Sequence, residues 1–141
     1  MNTDRDKALM RRVLFVCRNN TGRSHMSRAV FERESAGRHS ARSASTGASS
    51  QFKVPSSVYR AMEELDFDVT AWKPRQLTPS DVHNADVVVG IDCCEQLAHM
   101  PGVQFQDWKI EDPSGLAVDD VRAIRAEIER RVRLLLEQLD G

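Results

Sequence analysis

The residues best suited to chemistry in this chain lie together in VCRNNTGRS, residues 16 to 24. Cys17 offers a nucleophilic sulfur. Arg23 brings a permanent charge and a planar fork that matches two oxygens of an anion. Ser24 can donate a hydrogen bond to a thiolate. Asn20 tolerates a curved, partly left-handed backbone, and Gly22 permits close backbone approach. Arg18, Asn19, Asn20, Thr21 and Gly22 fill the interval, and their amides can face a bound oxyanion together with Arg23 and Ser24. Arg18 adds charge at the mouth of such a loop. The plainer alternative is a buried cysteine followed by an ordinary turn. A buried cysteine needs no arginine, however, and a surface turn needs no cysteine.

Such a loop works only if neighbouring elements hold it. RVLFVC (12–17) is a short apolar run rich in β-branched and aromatic residues and reads as a buried strand. SHMSRAVFERES (24–35) reads as a helix, with Met26, Val30 and Phe31 on one face and Gly37 closing it. A strand ending at Cys17 and a helix starting near Ser24 aim the helix's leading N–H groups and its dipole into the loop. Those donors favour a thiolate at Cys17 and a tetrahedral oxyanion above it.

The rest of the chain supplies the frame. HSARSAS (39–45) alternates like a strand, ADVVVGI (85–91) is a second buried strand, and VQFQDWKI (103–110) is a weaker third alternation. PSSVYRAMEELDF (55–67) predicts a helix with Pro55 at its start and Val58, Met62 and Leu65 on one face. Thr78 before Pro79 opens another, and CCEQLAHM a short one. FDVTAW reads as either a short strand or an extended link. From Val118 a stripe of Val121, Ile124, Ile128, Val132, Leu135 and Leu139 marks a long amphipathic helix. This alternation predicts an α/β fold, a single-domain three-layer sandwich around a central four-stranded parallel sheet over residues 11–141, after a loose polar segment at 1–10. Ligands in such folds bind beyond the carboxyl ends of the strands, where Cys17 falls.

Composition narrows the function. The 141 residues carry 20 Lys and Arg against 21 Asp and Glu, for a net charge of −1. That balance asks for no nucleic acid and no membrane as partner. The N-terminal stretch has no secretory apolar core, and the expected location is cytoplasmic. Three cysteines make no disulfide framework, and no His or Cys spacing suits a metal. His39, His83 and His99 are scattered, and His25, just after the loop, reads as a surface histidine.

The stretch LFVCRNNTGRSHMSRA resembles the Cys-x5-Arg-Ser loop of the low-molecular-weight protein tyrosine phosphatase superfamily, and most resembles its thiol-dependent arsenate reductases. ARSAST, KPRQLTPSDVHNADVVVGID and DWKIEDPSGLAVDDVRAIRAEIERRV extend the likeness over nearly the whole chain. Ser45 stands where glycine is usual, and Gly22 where many members carry a second cysteine. The resemblance implies that Cys17 is the nucleophile, that Arg23 and the loop amides bind the oxyanion, and that Asp112 handles protons, with Glu111 as fallback. It implies a resolving thiol after the VVV strand. Cys93 falls at the first such position, Leu97 replaces the second, and Cys94 is extra; burial without chemistry is the alternative for both cysteines. Phosphatases of this family follow the matching Asp-Pro with aromatic residues, whereas Ser114 and Gly115 follow here. Phe52 and Trp72 are possible walls of a ring pocket or plain core residues.

The expected activity is therefore arsenate reduction through a Cys17 adduct. It uses no bound cofactor but an external thiol such as thioredoxin, mycothiol or glutathione. The alternative is a phosphatase that hydrolyses phosphotyrosine or another phosphate monoester through a phosphocysteine. A non-catalytic oxyanion-binding protein is the reading from another class.

Overall fold

The computed structural model describes residues 10–18, 22–47, 54–73 and 75–141. Four strands, β1 (Arg12–Cys17), β2 (Ser40–Ser45), β3 (Val87–Ile91) and β4 (Gln104–Trp108), form one sheet in the order β2-β1-β3-β4. All neighbours run parallel. Central strands of a parallel sheet are covered on both faces, which explains the unbroken apolar runs of β1 and β3. The edge strands are more polar: β4 has an exposed Gln104 and a half-buried Phe105, which is why its signal in the sequence is weak.

Register fixes where the site can form. Cys17 pairs with Ser45 on one side and Ile91 on the other, and Ile91 pairs with Trp108. Four strands thus end in one row. Side chains alternate across a strand, so Val13, Phe15 and Cys17 join one core and Leu14 and Val16 another. The first core is covered by helices α1 (Arg23–Ser35), α2 (Ser56–Glu63) and α4 (Val118–Asp140). The second is covered by the short α3 (Pro79–His83) and a 3₁₀ helix (Glu95–His99), through Val82 and Leu97. This is the expected three-layer arrangement.

Local chemistry explains most boundaries. Thr78 caps α3: its side chain accepts from the Asp81 N–H while the Asp81 carboxylate accepts from the Thr78 N–H. In α4, Val121, Ile124, Ile128, Val132 and Leu135 are buried as the stripe predicts, Leu136 joins them, and Leu139 is half-buried. Helix α2 stops at Glu63, short of the expected Phe67. The chain turns there, with Leu65 and Phe67 donating back to the Met62 carbonyl and Asp66 at φ 62°. FDVTAW forms no strand; it is an extended link whose Phe67 and Val69 pack on the core. No helix among the described residues is long and apolar enough to cross a membrane. The segment 1–10, apart from Met10, lies outside the described residues, as do Asn19, Asn20, Thr21 and Phe52.

Candidate active site

Cys17 is the last residue of β1 and is fully buried. Its Sγ lies 3.0 Å from the Ser24 Oγ in the first turn of α1. Gly22 precedes that helix with φ 101°, a left-handed geometry that L side chains rarely adopt. It is also tightly enclosed, because a Cβ there would sit 3.0 Å from Val54 and 3.1 Å from Val58. Glycine brings no capping side chain, so none competes with a ligand at the start of α1.

Arg23 is held by residues just beyond the ends of two other strands. Its buried guanidinium donates through Nη1 to the Asp92 carboxylate at 3.0 Å and to the Ile110 carbonyl at 2.9 Å. Asp92 follows β3 with φ 56°, and its backbone N–H donates to the Trp108 carbonyl. Its carboxylate also accepts from the Ile110 N–H at 3.3 Å and lies 3.7 Å from the Lys109 ammonium. A buried charge is tolerable only when paired, and Asp92 supplies the pairing. The sequence reading gave Asp92 no role. The available signal was an acidic residue directly after a buried strand, at the edge where ligands bind.

His25 corrects an expectation. It is buried rather than exposed, its ring stacks on Trp72 at 5.3 Å and 18°, and its Nδ1 lies 3.2 Å from the Ser43 Oγ. Burial, with Arg28 and Arg75 nearby, pushes its pKa down to about 4. A neutral His25 therefore ties the first turn of α1 to β2. Trp72 is occupied by that contact and by Tyr59, which places it in the core. His39 is structural as well: its Nδ1 accepts from the Arg11 N–H, leaving Nε2 to donate to Asp140 at 2.7 Å.

Asp112 stands exposed on the loop after β4, where its carboxylate accepts from the Ser114 N–H at 2.9 Å. That loop leaves from Ile110, whose carbonyl holds Arg23, so it starts at the site. Glu111 beside it is also exposed.

Cys93 and Cys94 follow Asp92 but belong to the core on the opposite face of the sheet, with Leu14, Val16, Val88 and Leu97. Cys93 donates to the Val16 carbonyl at 3.5 Å, next to Cys17 in the chain, and its sulfur is 2.7 Å from that of Cys94. The Cys94 sulfur and burial push the Cys93 thiol well up. The same hydrogen bond, helped by Arg18, pushes Cys94 down. Gly90 makes this fold-back possible: a Cβ there would sit 2.5 Å from the Cys93 carbonyl oxygen and 2.7 Å from the Phe105 ring. Cys17, Ser24, Arg23 and Asp92 thus converge, Asp112 hangs from the same edge, and Cys93 lies around the rim. Among the described residues no group of three or more His, Cys, Asp or Glu could hold a metal ion.

Known proteins share this fold and sequence pattern. A family model described as low molecular weight phosphotyrosine protein phosphatase matches residues 12–141. A putative arsenate reductase of Halobacterium salinarum is 33% identical over 129 residues, 89% of this chain and 91% of that protein. A solved arsenate reductase in the phosphate binding state superposes with a TM-score of 0.79 at 27% identity, over 92% of this chain and 99% of that one. A YwlE arginine phosphatase from Geobacillus stearothermophilus gives 0.78 at 24% identity, over 92% and 93%; that likeness speaks for the fold alone. Across nearly its whole length, then, the chain belongs to the low molecular weight phosphotyrosine protein phosphatase family, in which its relatives include arsenate reductases.

Proposed function

We propose that this protein reduces arsenate to arsenite with electrons from thiols. The observation that carries the reading is the placement of Cys93 against the last turn of β1, through its bond to the Val16 carbonyl. A phosphatase of this design needs one thiol. A reductase needs a second that can reach the first, and the loop after β3 carries Cys93 next to the strand that ends in Cys17, though on the other face of the sheet.

The steps follow from the site. Arg23, the loop amides and the start of α1 bind the arsenate dianion. The Cys17 thiolate, supported by Ser24, attacks arsenic; an As–S bond forms and an As–O bond breaks. Asp112 gives the departing oxygen its proton. A second thiolate then attacks the Cys17 sulfur. A disulfide forms, the As–S bonding pair stays on arsenic, and As(V) leaves as As(III) arsenite. Cys93 is the first candidate for that thiol. Its raised pKa and its place around the rim require residues 92–94 to shift before it acts, and Cys94 carries the more acidic sulfur of the pair. An external thiol, whether thioredoxin, mycothiol or glutathione, restores the reduced protein.

Phosphate-ester hydrolysis is the second reading. It is favoured by the burial of Cys93, which leaves water as the more accessible attacker on a phosphocysteine. The Ser114-Gly115 pair after Pro113 argues against an aromatic substrate, because no ring there can stack on one. One assay separates the two: arsenite released from arsenate by reduced protein, with thioredoxin and each small thiol supplied separately, beside hydrolysis of an aryl phosphate. Arsenite that vanishes with Cys17→Ser supports the reductase. No arsenite from protein that still cleaves the ester makes it a phosphatase.

A further inference from the structure

The Cys93–Cys94 pair has features that a single resolving thiol does not require. The residues are adjacent, and in an extended chain adjacent side chains point to opposite sides. Here Cys94 takes φ 69° and ψ 26°, which swings its side chain back beside its neighbour and leaves the sulfurs 2.7 Å apart. A left-handed backbone is disfavoured at a non-glycine residue, and backbone strain of this kind collects at ligand sites. The strand below gives up a side chain at Gly90 to let the same loop lie down on it. Two separate departures from easy backbone thus serve one result, a pair of sulfurs side by side.

Their surroundings define what they can hold. Leu14, Val16, Val88 and Leu97 supply no oxygen donors beyond backbone carbonyls. Two thiols are too few for a tetrahedral zinc site. Soft thiolates in an apolar lining suit a thiophilic centre satisfied by few ligands. Arg18 lies near enough to Cys94 to favour its thiolate.

We propose that Cys93 and Cys94 form a dithiol binding site for trivalent arsenic. Arsenite, As(OH)₃, condenses with both thiols: two As–S bonds form, two As–O bonds break, and two waters leave with the thiol protons. Arsenic remains As(III) throughout, so no oxidant or reductant is needed. The proposal rests on the proposed reaction only for the source of the arsenite; the geometry is independent of it. Arsenite held there withdraws Cys93 from resolution, so the product restrains its own formation.

The test uses reduced full-length protein and arsenite alone, with no arsenate and no turnover, read by native mass spectrometry. One arsenic per chain is expected for wild type and for Cys17→Ser alike. Cys93→Ser and Cys94→Ser should each weaken binding by about a hundredfold or more, because the second bond of a chelate forms at high effective concentration. Should a serine variant fold poorly, alkylation of wild type gives an independent reading: arsenite should shield two of the three thiols and leave Cys17 reactive. No arsenic bound to wild type, undiminished binding in either serine variant, binding lost in Cys17→Ser, or shielding of Cys17 would each overturn the proposal. None of these results bears on whether arsenate is reduced.

Discussion

Replacing Asp92 with asparagine keeps the shape of its contact with Arg23 and removes the charge. Arg23 is 6% exposed and Asp92 34% at the side chain, so the pair is only half withdrawn from water. The guanidinium then loses its charged partner and keeps its bond to the Ile110 carbonyl. We expect Asp92→Asn to weaken competitive inhibition by inorganic phosphate about tenfold and to lower stability by about 1–3 kcal/mol; unchanged phosphate inhibition would remove Asp92 from the positioning of Arg23. His25 gives a pH test. Its pKa is lowered from 6.5 to about 4 by burial first and then by Arg28 and Arg75. Between those values the unfolded chain binds more protons than the folded one, so folding is penalised as pH falls through that window and not above it. The penalty reaches roughly 3 kcal/mol at the acid end. Denaturant titrations of His25→Gln should therefore lose stability less steeply than wild type from pH 6.5 to 4, and parallel curves would refute the assignment. The difference between Cys17 and His25 shows what one sequence conveys. A thiol, an arginine and a serine at fixed spacing declare a shared purpose. A histidine in a first helical turn declares none, because its burial depends on Ser43 and Trp72, which the fold brings from elsewhere.

Among the elements, β1 and β3 were plain from composition because a strand buried on both faces must be apolar throughout. Helix α1 was legible from Met26, Val30 and Phe31 on one face and from Gly37 behind it, a short stripe for a 13-residue helix. Its N-terminal part buries Arg23, Ser24, His25 and Ser27, polar residues that serve the site or tie the helix to its neighbours, so apolar periodicity understates its burial. Helix α2 ended early because the turn at 64–66 and the left-handed Asp66 are set by local hydrogen bonding, not by the pattern that suggested Leu65 as another helical contact. The role of Gly90 was also hidden: inside a run of valines it looks like a flaw in a strand, and its reason lies in a loop that returns over it. Gly90→Ala should cost about 1–3 kcal/mol by overpacking and displace the 92–94 loop. Thermal denaturation and the alkylation rates of Cys93 and Cys94 check both effects, and a variant as stable as wild type with unaltered thiols would show that the loop can yield.

At the scale of the whole molecule, α4 gives more buried residues than the other helices to the core on one side of the sheet. Ile128 sits fully buried in the middle of its stripe. Ile128→Ala should destabilise by about 2–5 kcal/mol, read as a lower denaturant midpoint at unchanged slope. A cost under 1 kcal/mol would mean that the helix packs loosely. Exposed pairs such as Arg130 with Glu127 should matter far less. Two of the partners of Arg23 have a further consequence for how the molecule comes into being. Asp92 and the Ile110 carbonyl lie 69 and 87 positions beyond it in the chain. A nascent polypeptide can make β1, the loop and α1 early, since these are neighbours, but it cannot seat the arginine until β3 and β4 have been synthesised and docked. Until then the thiol is present without the arginine seated near it. Under the proposed reaction, catalytic competence arrives late and all at once, as a signal that the sheet has closed.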